Sequence, residues 1–228
     1  AAARFTLPSP QVYPKIEVYD PEVEAVAVEQ MIELGDSVIA KVRGHTPELL
    51  CEAGVTKSLG TVEILNSRGG RASYRKSFFI VALEGTLIRD MDMLFVGEMD
   101  SSCHPITELS SLAGTVIQQL ELAKNRAMVS TGQLPVVFTP RGVLSAFFTP
   151  LALGFNGRVV YQGASPLVGR QGAQLFDQRL SLWDDATIDY CPGSRPCDDE
   201  GVPSQRTALI EKGVVANFLY DLQTAALA

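Results

Sequence analysis

The sequence predicts an α+β fold: an antiparallel sheet flanked by two helices, followed by the start of a mainly-β, barrel-like domain that holds one buried helix. Three observations carry this. A run of segments with period two lies between two segments with helical period, rather than alternating with helices one by one. Apolar and charged residues alternate inside that run, as in a sheet with one wet face. Beyond Thr131-Gly132-Gln133-Leu134-Pro135 the pattern changes to one strongly apolar helix among short strand-like pieces. The 228 residues divide accordingly into an extended lead-in (1–19), an α+β domain (20–131) and the first part of a mainly-β domain (132–228).

The lead-in carries Pro8, Pro10 and Pro14 and shows no period. Asp20-Pro21 opens the first helix, with the carboxylate at the N-cap and the proline at the first helical position. Val23, Ala27, Met31, Leu34, Val38 and Val42 recur three and four residues apart and form one apolar stripe, with Gly44 as the expected stop. Four strands are expected at 49–57, 61–66, 71–82 and 86–97, turned by Asn66-Ser67-Arg68-Gly69-Gly70 and by Glu84-Gly85. Ser73, Arg75 and Ser77 alternate with Tyr74, Lys76 and Phe78, which places one set on a solvated face. Pro105 opens a second helix to about residue 128, with Leu109, Leu112, Val116, Leu120 and Ala123 inward.

In the second part, 136–138 reads as a short buried strand. The helix from about 142 to 153 carries Val143, Leu144, Phe147, Phe148, Leu151 and Leu153, enough apolar surface to be buried nearly all round, with Pro150 kinking or ending it. Val159-Val160-Tyr161, a short helix around 167–176 and a strand at 180–183 lead to a hairpin turned at Lys212-Gly213. An open sheet edge near Tyr220 would need a cover, from a partner if not from this chain.

A net charge of -7 argues against a nucleic-acid groove, which needs a basic stripe to replace counterions. No apolar run reaches the roughly 18 residues of a membrane span, and Ala1-Ala2-Ala3-Arg4-Phe5 has no signal pattern, so a cytoplasmic home is expected. Of the four cysteines, Cys191 and Cys197 are close enough in sequence to close a small disulfide or to offer two thiolates to a metal. A structural zinc wants four ligands and no second Cys or His pair lies nearby, so two free thiols are the preferred reading. His104 beside Pro105 could act as a base; a capping or surface role is the simpler reading. Asp198, Asp199 and Glu200, with Arg206 close behind, form an acidic turn whose carboxylates could hold a hard cation or simply make the turn.

The run Asp198-Asp199-Glu200-Gly201-Val202-Pro203-Ser204-Gln205-Arg206-Thr207, with the hairpin Ile210-Glu211-Lys212-Gly213, resembles the signature of the TldD/PmbA family, once labelled modulators of DNA gyrase. Residues 133–141, Val160-Tyr161-Gln162-Gly163-Ala164-Ser165, Phe176 and Trp183-Asp184-Asp185 fall in the family's order. In the TldD branch, a helix after the opening strand carries His-Glu-x-x-x-His, which grips zinc and activates water. Here that helix reads Leu144-Ser145-Ala146-Phe147-Phe148-Thr149-Pro150-Leu151, and the only histidines are His45 and His104.

The resemblance therefore implies the TldE/PmbA branch: no catalytic or metal-binding residue and no cofactor in this chain, with zinc expected only in a TldD-like partner. It implies association with that partner or with itself around peptide substrates, in proteolysis such as antitoxin degradation or microcin-type peptide maturation. Family members are longer at both ends, so a partial chain, truncated or naturally short, is expected. Asp198, Asp199, Glu200 and Arg206 are the residues offered to the shared chamber or the partner. Two other readings stay open. One is an independent hydrolase using those carboxylates with Cys191 or Cys197; the other is a non-enzymatic regulator of the gyrase-modulator type, for which the charge gives no reason to expect direct DNA binding.

Overall fold

The computed structural model describes residues 5–125 and 127–228; the first four residues of the lead-in, and Arg126 within the second expected helix, lie outside the described residues. Asp20 acts as its place before Pro21 dictates. Its Oδ1 accepts the Glu22 amide at 2.8 Å and starts α1 (Pro21–Ala25). The expected single helix then breaks, with Val26 and Ala27 extended, and α2 resumes over Val28–His45. A distant residue holds the break: Lys57 Nζ donates to the carbonyls of Glu24 at 2.9 Å and Val26 at 2.5 Å. Gln30 accepts the freed Ala27 amide at 2.8 Å. Beyond the break Val38 and Val42 are fully buried, as the stripe requires, whereas Ala27 is exposed.

Three long strands replace the four expected. β1 (Leu50–Leu65), β2 (Arg71–Arg89) and β3 (Asp92–Ser102) form an antiparallel meander in that order. The Asn66 hairpin is as expected, its side chain accepting the amides of Arg68 and Gly70 at 2.9 and 3.0 Å. Glu84-Gly85 is not a turn. Gly85 lies inside β2, where a Cβ would come within 3.0 Å of the buried Leu49 side chain, so this glycine makes room for packing. The reversal falls instead at Asp90-Met91, with Asp90 at a φ of 52°. Ser77 is not on the wet face either. It is fully buried, its hydroxyl donating to the Cys103 carbonyl at 2.7 Å and accepting the Asp20 amide at 2.9 Å.

The second helix, α3 (Ser110–Leu122), begins later than Pro105 because Ile106 and Leu109 enter the core first. Glu108 Oε1 accepts the Ser110 amide at 2.5 Å where Leu109 offers no side-chain cap. One face of the sheet thus packs against α2 and α3 around Val38, Val42, Phe79, Val81, Leu83, Leu112 and Val116.

In the second part, 136–138 forms no strand and is exposed. α4 (Pro140–Val143), a π turn (Leu144–Phe148) and α5 (Thr149–Gly154) make one rod. Thr139 Oγ1 accepts the Gly142 amide at 3.1 Å, and the π turn widens the backbone just ahead of Pro150, which has no N–H to give. This rod is the helix expected to be buried, and it is not: Val143, Leu144, Phe147, Phe148 and Leu153 are 47–59% exposed. Apolar content announced that the helix should be covered, and the described residues supply no covering layer. Only its C-terminal end reaches a small second core of Phe155, Leu167, Leu209, Ile210 and Val215, with Leu151 against it.

Val159-Val160-Tyr161 falls in a short helix, α6 (Gly157–Tyr161), because Asn156 caps it by accepting the amides of Arg158 and Val159. Residues 167–176 form turns rather than a helix. β4 (Leu182–Asp185), β5 (Arg206–Glu211) and β6 (Val214–Val215) complete an antiparallel sheet, and no closed barrel forms among the described residues. Lys212 and Gly213 make the expected hairpin turn with φ of 46° and 82°. A Cβ on Gly213 would collide with Gln174 Nε2 and the Phe176 carbonyl oxygen, so the turn also needs glycine for close approach. The edge near Tyr220 is covered from within: Leu219 donates to the Phe155 carbonyl at 3.0 Å and accepts the Gly157 amide at 2.6 Å. α7 (Leu222–Ala225) follows.

Candidate functional site

The acidic turn is built around Asp198. Its Oδ1 accepts the amides of Glu200 and Val202, each at 2.9 Å, while its own amide donates to the Val202 carbonyl at 3.0 Å. Glu200 Oε2 turns away to accept the Leu222 amide at 2.8 Å at the start of α7. Asp199 points into solvent, with its side chain 93% exposed and Arg195 Nη1 3.1 Å away. Arg206 lies over the Trp183 ring at 4.1 Å from its centroid, its Nε 3.5 Å from Asp185. The three carboxylates therefore serve three different partners. Among the described residues no group of three or more His, Cys, Asp or Glu side chains could hold a metal.

The loop that carries this turn is where the two parts of the chain meet. Tyr13 donates its hydroxyl to the Gly201 carbonyl at 3.3 Å, and Lys76 Nζ donates to the carbonyls of Pro192 and Ser194 at 2.6 and 3.0 Å. Tyr190 donates its amide to Glu17 and accepts that of Cys103. Cys191 and Cys197 are free thiols and are not joined to each other. Burial, and after it the charge of Asp198, pushes the Cys197 thiol up, which makes a poor nucleophile of it.

His104 sits at the same seam. Its Nδ1 is 2.5 Å from Asp20 Oδ2, and its ring centroid lies 3.8 Å from that of Tyr190. Burial acts to raise the Asp20 carboxyl, but the hydrogen bonds from His104 and the Glu22 amide outweigh it and hold the group below its usual value. His45 is elsewhere, with Nε2 2.7 Å from Glu121, tying α2 to α3. The two histidines serve separate contacts.

Reading the sequence alone missed a groove of about 1640 Å³ between the sheet and α4. Glu48, Glu52, Glu84, Glu98, Arg141 and Ser145 are among the residues that line it. Arg141 Nη1 donates to the Gly97 carbonyl and pairs with Glu98 at 3.5 Å, which ties α4 to β3. Gln119 grips the same Gly97 from α3 with two hydrogen bonds of 3.0 Å. The sequence offered no direct signal, because only the β1–β2 register sets Glu52 directly opposite Glu84, an arrangement of like charges that costs stability. Cys51 also lines the groove, its thiol raised by burial with Arg43 opposing. The rod beside it, 140–154, carries no His, Cys, Asp or Glu, and presents Phe147 edge-on to Phe138 with centroids 4.6 Å apart.

Comparison with known proteins fits this architecture. Residues 131–228 match the family model described as the PmbA/TldA metallopeptidase C-terminal domain. The chain is 28% identical over 181 residues to an uncharacterised protein of Methanocaldococcus jannaschii, covering 78% of this chain and 41% of that protein. It is 26% identical over 160 residues to a metalloprotease PmbA homologue of Haemophilus influenzae, covering 68% of this chain and 34% of that protein. The crystal structure of TldE from Thermococcus kodakarensis shares the fold with a TM-score of 0.83 at 23% identity, over 97% of this chain and 51% of that one. The chain thus spans about half, or less, of the length of these proteins.

Proposed function

We propose that this chain, whose residues 131–228 match the PmbA/TldA metallopeptidase family model, acts as a non-catalytic, TldE/PmbA-like subunit beside a TldD-like zinc peptidase subunit. The complex would process small or unfolded peptides in the cytoplasm. The observation that carries this reading is the 140–154 rod. The family resemblance puts the zinc-binding motif on this helix, yet it offers no imidazole, thiolate or carboxylate. The residues present do not fit a zinc ion, and no chemical step is assigned to a metal in this chain.

What the chain contributes is surface. The four glutamates of the groove outnumber Arg43 and Arg141, so it attracts the amino terminus or the Lys and Arg side chains of an extended peptide. The exposed apolar face of the rod suits a partner subunit. Of Asp198, Asp199, Glu200 and Arg206, the residues proposed to face the chamber or partner, Asp199 is the most open to a newcomer, its carboxylate 93% exposed and held only by the surface pair with Arg195. The test is to purify the chain alone and together with a TldD-like subunit, then measure zinc content and hydrolysis of an unfolded peptide. Zinc and hydrolysis are expected only with the partner. Stoichiometric zinc and hydrolysis by this chain alone would overturn the proposal.

A further inference from the structure

Cys103 follows the last residue of β3, and Cys191 lies in the loop that clamps the second part of the chain onto the sheet. They come together because Tyr190 is pinned. Its amide donates to the Glu17 carbonyl at 2.6 Å, its carbonyl accepts the Cys103 amide at 3.2 Å, and its ring stacks on His104. These contacts hold it at a φ of 55°, a left-handed value that a tyrosine adopts only under constraint. The next residue, Cys191, is thereby set against Cys103, whose Sγ donates to the Cys191 carbonyl at 3.8 Å. A main-chain bond to one residue and a sulfur contact to the next set the two cysteines side by side, the juxtaposition a disulfide requires.

Both thiols are free, Cys103 fully buried and Cys191 half-buried. Lys76, bonded to the carbonyls of Pro192 and Ser194, places an ammonium beside the pair. Burial raises the Cys103 thiol, that ammonium opposes the rise, and the Cys191 thiol adds to it. Cys197, near Cys191 in sequence, is fully buried at a bridge to Pro203.

We propose that Cys103 and Cys191 form a peroxide-responsive thiol pair that closes reversibly into a disulfide and locks the 186–204 loop to the sheet. Cys191, which has access to solvent, attacks hydrogen peroxide as the thiolate. Its sulfur gains a hydroxyl as the O–O bond breaks, and the hydroxide released takes up the thiol proton as water. The Cys103 sulfur then displaces that hydroxyl: an S–S bond forms, the S–O bond breaks, and the second water leaves with the Cys103 proton. The two sulfurs give up two electrons, and the peroxide takes both. Dithiol reductants reverse the step by exchange, as suits a transient disulfide in a reducing compartment.

The experiment treats the whole chain with hydrogen peroxide and maps its peptides without reduction by mass spectrometry. One cross-link is expected, Cys103 to Cys191, reversed by dithiothreitol, with Cys51 and Cys197 still open to alkylation after denaturation. Cleavage of the 186–204 loop by protease should slow about tenfold on oxidation, since it follows the opening of that loop. Cys191→Ser, at the half-exposed position, should keep the fold and abolish both effects, while Cys51→Ser leaves them intact. A Cys191–Cys197 bridge, sulfinic acid at Cys191 with no cross-link, or unchanged proteolysis each overturns the inference. Its outcome is independent of whether a zinc-bearing partner is found.

Discussion

The sheet with α2 and α3 and the rod of residues 140–154 use apolar residues in opposite ways. In the first, every stripe meets another stripe of the same chain: Val38 and Val42 of α2, Phe79, Val81 and Leu83 of β2, and Leu112 and Val116 of α3 close one core. In the second, Leu144, Phe147 and Phe148 belong to a strongly apolar rod and are left about half exposed. The difference teaches that periodicity reports what a segment needs, while only the assembled chain shows whether the need is met internally. A pair of identical substitutions measures that difference. Phe79→Ala removes a fully buried ring and should lower the unfolding free energy by about 3–5 kcal/mol, read from urea denaturation. A loss below about 1 kcal/mol would mean that the first core is not the one described.

Much of the first part was legible in the sequence because its signals are local. Asp20-Pro21 and the Asn66 hairpin act through residues two to four positions away. Two of the misread features depend on partners distant in sequence. The break at Val26-Ala27 is held by Lys57, and Gly85 gives way to Leu49 rather than turning the chain. The acidic turn was legible as a turn, but the direction of each carboxylate was not: Glu200 is drawn to Leu222, and the turn itself is anchored by Tyr13. The glutamate groove needed the register of β1 on β2, and the approach of Cys103 to Cys191 needed the whole fold.

A second, smaller effect probes the seam between the two parts. The Asp20 carboxyl is held below its unfolded value, so it adds stability above the usual aspartate range near pH 3.9, and that stability is lost as the pH falls through the lowered value. Asp20→Asn keeps an N-cap acceptor but loses the charge paired with His104. It should cost about 1 kcal/mol at neutral pH and leave a shallower acid limb in a plot of unfolding free energy against pH. An acid limb identical to that of the unaltered chain would show that this pair does not hold α1 to the seam.

The smallest effect on stability is expected where the sequence reads most apolar. Phe147 touches Phe138 edge-on and is otherwise about half exposed, so Phe147→Ala should cost at most about 1 kcal/mol in the same denaturation experiment. Its larger consequence should lie in assembly. If the rod faces a TldD-like subunit, losing a half-exposed aromatic ring from its centre should weaken association by about tenfold or more, measured by titrating one purified subunit with the other. The two readouts separate the possibilities cleanly. A stability loss as large as that of Phe79→Ala would place Phe147 in a core of this chain, erasing the contrast between the two regions. Unchanged stability with unchanged association would leave the contrast intact and remove the rod from the partner surface.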